Sequence, residues 1–226
     1  TGLLDALLPR FEAARGWRVK TVAVGTGQAL EMGRRGEADV LLVHAPAAER
    51  AFVRAGHGRR RRAVMHNDFV IVGPASDPAG VGGVKDAASA LGKIAAAGAG
   101  WVSRGDGSGT HVKEQSLWKA AGIAPECGLV ETGQGMGATW RIASEREAYT
   151  LTDRGTLLAT GNLELAVLVE GDGVLHNPYH VIEVVGEEVN APGAAALADF
   201  FVSPATQRRI GEFRVEGERL FAPDAE

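Results

Sequence analysis

Short apolar runs alternating with helix-length amphipathic stretches constrain this chain more than any other feature, because each kind of segment needs the other to cover its apolar face. Residues 2–14 place Leu3, Leu4, Leu7, Leu8 and Phe11 on one helical face, with Thr1 positioned as the N-cap. Pro9 lies inside that stretch and costs about 3 kcal/mol relative to alanine, so a kink or break is expected there. The run WRVKTVAV (17–24) reads as a strand, Gly25-Thr26-Gly27 turns into a helix over 28–35, and DVLLV (39–43) reads as a short buried strand. A helix over 46–55 and a basic loop at Arg59, Arg60, Arg61 and Arg62 lead into a long extended segment over 63–74. Beyond it the pattern predicts helices over 85–97, 108–120, 133–146, 153–159 and 194–213, and strands over 101–102, 148–151, 163–169 and 178–185. The fold class this implies is α/β with mostly parallel strands.

The passages GPASDPAGVGG (73–83) and EGDGVLHNPY (170–179) read as crossings between two lobes, 1–72 with 178–226 and 73–177. A chain that leaves one lobe and returns later sets a cleft between them, faced by strand-to-helix turns from both sides, where ligands of open α/β sheets bind. The 226 residues, 45% of them apolar, suffice for such cores. A formal charge of −4 leaves no global basic field, so no nucleic-acid partner is expected. Cys127, the one cysteine, has no partner for an internal disulfide or a cysteine-based metal site. No apolar stretch reaches the roughly 20 residues of a membrane helix, and no leader-like segment is expected in this chain.

SRGDGSGTH (103–111) is the most informative stretch. A strand, then a glycine-rich turn, then a helix from Ser108 aims several free backbone N–H groups at one point, where the helix dipole adds partial positive charge. Gly105, Gly107 and Gly109 permit close approach, Ser108 and Thr110 add hydroxyl donors, and Arg104 offers a planar fork that matches an oxyanion. Such a turn holds a small anion; the alternative is a surface turn with Ser108 as cap and Arg104 paired to Asp106. Asp106 either orients Arg104 or accepts a hydrogen bond from a protonated ligand oxygen.

Catalytic motifs fail on the same residues. A nucleophile elbow needs glycine where Asp106 and Thr110 stand, and Gly92-Lys93 is followed by Ile94 rather than the Ser or Thr of a P-loop. GTGQAL (25–30) has Leu30 where a dinucleotide fingerprint has its third glycine, and reads as a second anion-facing helix start, with Thr26 as donor, or as an ordinary turn. Pro178 between His176 and His180 denies them a shared helical face, so no metal site and no catalytic pair are expected. The arginine run reads as a solvated loop, and residues 152–156, with Asp153 and Arg154, as a helix cap or a further pocket wall.

The blocks GTGQALEMGRRGEADVLLVHAPAAE (25–49), VMHNDFVIVGPASDPAG (64–80), WVSRGDGSGTH (101–111), GQGMGATWRIASEREAYTLTDRGT (133–156) and NPYHVI (177–182) together resemble the tungstate-binding proteins of bacterial ABC uptake systems, over essentially the whole chain. The resemblance implies a type II periplasmic-binding-protein fold, two α/β lobes hinged near 64–74 and 174–184, with an interlobe cleft that closes on a tetrahedral oxyanion. It implies a periplasmic or otherwise extracytoplasmic monomer that delivers tungstate, or molybdate of nearly equal size, to a membrane permease, without cofactor or catalysis. Its binding residues fall on Thr26 and Gly27, on Arg104, Ser108, Gly109 and Thr110, and on the segment from Gly135 to Thr139, with Asp106 and Arg154 in support. Members of that family usually begin with a strand and a Thr/Ser-rich turn ahead of the GLLD helix, and this chain starts at Thr1-Gly2.

A phosphate receptor of the same fold is the alternative, because R-x-D-G-S-G-T also resembles its anion turn. Asp106 discriminates: phosphate still exchanges protons near pH ~6 and can donate to a carboxylate, whereas tungstate at neutral pH cannot, so Asp106 should then face Arg104 or backbone. A regulatory oxyanion sensor is the third reading.

Overall fold

The computed structural model describes residues 2–124, 128–160 and 164–225. In chain order the elements are α1 (Leu3–Arg15), α2 (Thr26–Arg34), β1 (Val40–Val43), α3 (Pro46–Arg54), β2 (Gly58–Pro74), α4 (Ala87–Ala96), β3 (Trp101–Ser103), α5 (Gly109–Ala121), β4 (Leu129–Glu131) and α6 (Met136–Glu145). There follow β5 (Thr150–Asp153), α7 (Arg154–Thr160), β6 (Leu165–Val169), β7 (His176–Val184), α8 (Ala191–Val202), α9 (Pro204–Glu212) and the short β8 (Arg214–Val215), β9 (Glu218–Arg219) and β10 (Ala222–Pro223). The chain forms two compact units, Thr1–His66 with Pro178–Glu226 and Asn67–Asn177, and passes between them within β2 and again within β7.

In the first unit, β1 runs antiparallel to β7, pairing Val40 with Glu183 and Val43 with His180, and β10 runs antiparallel to β2. Leu30, Leu41, Val43, Phe52, Ile182 and Val184 form a core between this sheet and its helices. α1 runs unbroken through Pro9, contrary to the expected kink. Pro9 is on the exposed face, so water can satisfy the carbonyl that loses its partner. The predicted N-cap Thr1 lies outside the described residues, as do Cys127 and Leu163, and Gly2 holds the cap position at φ 76°.

Three expectations for this unit are corrected. Residues 17–24 form no strand: Trp17, Val22 and Val24 are exposed, and among the described residues β1 pairs with β7 instead. Apolar alternation makes a strand only where a neighbour closes the ladder. The arginine run is not a solvated loop but the start of β2, where Glu49 and Glu183, both fully buried, require cations. Arg61 donates to Glu49 at 2.8 Å, Arg59 to Glu183 at 3.2 Å, and Arg60 and Arg62 to Asp199 at 2.8 and 2.6 Å. The predicted helix over 194–213 is two helices, because Ser203 ends α8 and caps α9, with Pro204 as the first residue of the second.

In the second unit, β5 and β6 both run antiparallel to β2, while β3 and β4 are parallel, with Trp101 opposite Leu129 and Ser103 opposite Glu131. The expectation of mostly parallel strands therefore fails. Among the described residues β7 runs antiparallel to β1, β2 runs antiparallel to β5, β6 and β10, and parallel pairing is confined to β3 with β4 and to the bridge between Trp101 and Tyr149. Phe69, Ile71, Leu91, Ile94, Trp101 and Leu117 belong to the core between α4, α5 and these strands. β4 lies ahead of the helix predicted over 133–146, in a stretch to which the sequence pattern assigns no element, and α6 begins only at Met136. Among the described residues no helix is long and apolar enough to cross a membrane.

Candidate functional site

Within the second unit, two adjacent parallel strands each end in a turn that opens a helix: β3 leads through residues 104–108 to α5, and β4 through 132–135 to α6. The turns are stapled together. Thr132 N–H donates to the Ser103 carbonyl at 3.0 Å, Gly133 N–H to that of Arg104 at 2.8 Å, and the Thr132 hydroxyl also reaches the Arg104 carbonyl at 3.3 Å. Two helix N-termini thereby stand side by side at one sheet edge.

The first turn disposes its donors unequally. Gly105 and Gly107 sit at φ 61° and 69°, a region costly for other residues. Three N–H groups are engaged inside the turn: Gly105 donates to the Ser103 hydroxyl at 3.2 Å, Gly107 to His111 Nδ1 at 2.9 Å, and Ser108 to Asp106 Oδ1 at 3.1 Å. Ser108 caps α5, its oxygen accepting from His111 N–H at 3.4 Å, and the first helical bond is Val112 N–H to Ser108 carbonyl. The N–H groups of Gly109 and Thr110 thus find no partner among the described residues, as the geometry of a helix start dictates. The Ser108 side chain is itself engaged, hydrogen-bonding Asp106 as well as accepting from His111 N–H.

Arg104 and Asp106 form an ion pair across the turn. Asp106 accepts from Arg104 through Oδ2 and from Ser108 through Oδ1, so both oxygens are engaged within the turn. Burial opposes its charge, but the hydrogen bonds from Ser108 and from Arg104 outweigh it and hold the carboxyl below its ordinary value. Only one guanidinium nitrogen meets Asp106; Nε is buried and has no partner among the described residues. The turn offers an anion one cation with donors to spare and two helix-end N–H groups, in a setting where the cation's charge is already balanced.

Other sequence-predicted residues take different places. Gly135 caps α6, and its carbonyl accepts from Ala138 and Thr139 N–H at 3.1 Å each, leaving the N–H groups of Met136 and Gly137 at the helix start. Thr139 is fully buried, and its hydroxyl meets Thr132 Oγ1 at 2.9 Å and the Gly135 carbonyl at 3.2 Å, so it fastens the second turn. Arg154 is held bidentately by Asp68 at 2.7 and 2.6 Å and by Glu170 at 2.6 Å. In the first unit, Thr26 and Gly27 open α2, whose first helical bond is Ala29 N–H to Gly25 carbonyl. Thr26 is buried and Gly27 exposed.

Two residues escaped the sequence reading. Thr132 is the staple just described. Glu114, on α5, is buried, accepting from Trp101 Nε1 at 3.0 Å and from the Ser103 hydroxyl at 2.9 Å. Burial first, and the charge of Glu131 in addition, push its carboxyl up to about 7 against the hydrogen bonds it accepts. A signal was present: Thr110, Glu114, Leu117 and Trp118 fall on one buried helical face, so an acid there needs partners.

The chain matches the PBP superfamily domain over residues 1–205. It is 49% identical over 234 residues to the tungstate-binding protein TupA of Peptoclostridium acidaminophilum, spanning all of this chain and 82% of that protein. The solved structure of the tungstate-binding protein TupA from Desulfovibrio alaskensis G20 superposes with a TM-score of 0.91 at 50% identity, over 100% of this chain and 94% of that one. That of the tungstate ABC transporter from Geobacter sulfurreducens gives a TM-score of 0.85 at 47% identity, over 94% and 93% of the two chains.

Proposed function

We propose, on the premise that this chain belongs to the PBP superfamily and within it to the family of the tungstate-binding proteins, that it is the solute-binding receptor of an ABC uptake system for tungstate. It works outside the cytoplasm, carries the oxyanion to a membrane permease, and performs no chemistry on it. The observation that carries this reading is the turn after β3, where donors of Arg104 and the N–H groups of Gly109 and Thr110 are left over after the turn has satisfied its own acceptors. Fixed donors facing a desolvated anion need no reorganisation on binding, and each counts for more than it would in water. Thr26 and Gly27 at the start of α2 and the N–H groups beside Gly135 are proposed as further donors, with Thr139 and Arg154 in supporting places.

Asp106 favours a fully deprotonated ligand. Both its oxygens accept from Arg104 and Ser108, the arrangement expected if the ligand brings no proton for it to receive. Molybdate, the other tetrahedral dianion of this kind, shares this chemistry and is proposed as a second ligand. Isothermal titration calorimetry against tungstate, molybdate, phosphate and sulfate at two pH values tests the reading. Tight binding of tungstate with phosphate silent is expected. Phosphate binding that strengthens as the ligand gains a proton would overturn it and make Asp106 the selector.

A further inference from the structure

Behind the anion turn, a buried acid is joined to the turn's backbone by one hydroxyl. Glu114 Oε2 accepts from the Ser103 hydroxyl at 2.9 Å, and Ser103 Oγ accepts from Gly105 N–H at 3.2 Å, so the carboxyl fixes the rotamer that fixes the first peptide after Arg104. Glu114 Oε1 is anchored by the Trp101 indole at 3.0 Å, and Trp101 is itself held edge-on by Trp118 at 5.2 Å between ring centroids. Glu114 stands one helical turn beyond Thr110, about 6 Å along the axis from the N-terminus that meets the ligand. We propose that Glu114 is a positioning residue for the anion turn, and that an oxyanion binds there together with a proton taken up on the Glu114 carboxyl.

The charges around it support this assignment. Glu131 on β4 is the acid whose field reaches Glu114. On the other elements packed against α5, Lys93 of α4 donates to the Gly80 carbonyl and Asp153 of β5 accepts from Thr156. On α5 itself, Lys113 donates to the Val174 and His176 carbonyls, and His111 accepts from Gly107. None of these cations pairs with Glu114. A dianion at the end of the same helix adds a further like charge, which disfavours the carboxylate and draws a proton from solvent onto the carboxyl. The Ser103 hydroxyl goes on donating to the carboxyl in its neutral form and Ser103 Oγ still accepts from Gly105 N–H, so the turn keeps its geometry while the opposing charge is removed. Since the free carboxyl titrates at about 7, the proton is already present below that pH and must be acquired above it. By linkage, affinity falls as pH rises.

This inference rests on the anion-turn reading, and the test separates their failures. Tungstate is titrated by calorimetry from about pH 6.5 to about pH 8.5 in buffers of different ionisation enthalpy, with wild type, Glu114→Gln and Glu131→Gln. For wild type, the dissociation constant is expected to rise at least about fivefold across the range, with proton uptake at the upper end. Glu114→Gln, a permanent copy of the neutral acid, should bind tungstate with a flat profile and no uptake, a result that loss of structure alone would not give. Exposed Glu131 can be neutralised without disturbing the core, and Glu131→Gln should move the midpoint of the profile to lower pH, which keeps the idea testable if the Glu114→Gln chain folds poorly. A pH-independent wild type, or a Glu131→Gln profile that does not move, overturns the inference while the receptor reading stands. No tungstate binding by wild type at any pH overturns both.

Discussion

Two turns of the second unit carry nearly the same residues, yet they leave their arginines in opposite conditions. In 103–110 the arginine meets one carboxylate two residues away, keeps a buried Nε without a partner among the described residues, and precedes a helix of 13 residues. In 151–156 the arginine is gripped by Asp68 and Glu170, which lie 86 and 16 residues away, and the helix it opens has 7 residues. There Asp153 accepts from both the N–H and the hydroxyl of Thr156, at 3.0 and 2.6 Å, closing the cap on itself. The hydrogen bond that Arg154 donates to Asp68 above all, against the penalty of burial, holds the Arg154 proton more tightly than usual. Composition therefore does not make an anion site. What makes one is donor capacity that remains after the protein's own acceptors are satisfied.

Exchanging the arginines for alanine is the strongest way to break this comparison. Arg104→Ala should weaken tungstate binding by at least about tenfold, roughly the 1.4 kcal/mol of one charge-assisted hydrogen bond, with the unfolding temperature close to wild type. Unchanged affinity in calorimetry would remove Arg104 from the site. Arg154→Ala should do the reverse, leaving affinity within about threefold and lowering stability by about 1–2 kcal/mol, a loss kept small by the partial exposure of its partners. Thermal unfolding followed by circular dichroism reads this directly; a large affinity loss instead would mean that the two turns share the work.

The smallest effect sharpens the comparison inside the first turn. Gly105 and Gly107 share a left-handed backbone, but a Cβ at 105 would lie 2.9 Å from Glu131 Cβ, whereas one at 107 meets nothing within 4 Å. Gly107→Ala is expected to cost about 1 kcal/mol of stability, the ordinary left-handed penalty, and Gly105→Ala clearly more, with a several-fold loss of tungstate affinity because the turn must shift. Equal costs in urea unfolding would show that the close approach to Glu131 is relieved without moving the turn.

The glycine-rich turn after β3 was legible in the sequence because its bonds are local. Ser108 to His111, Gly107 to His111 and Arg104 to Asp106 span two to four residues, so strand, glycines and cap sufficed to foresee it. Glu114 was less legible, since a glutamate inside a helix ordinarily faces water, and its burial showed only through the spacing of its apolar neighbours. Thr132 follows the short strand β4, whose three residues carry too little periodicity to read as an element from sequence.

By itself, then, the sequence determined most of the helices and the strand-turn-helix after β3, with N–H groups left open at its helix start, all consequences of backbone geometry over a few residues. Only the tertiary structure decided which arginine keeps free donors, how the arginines of β2 neutralise Glu49 and Glu183, that the long strands run antiparallel to their neighbours, and that residues 17–24 join no ladder. The reason is common to all four: each depends on partners brought in from far along the chain, such as Asp68 for Arg154 and Glu183 for Arg59, and no local pattern encodes a partner's arrival.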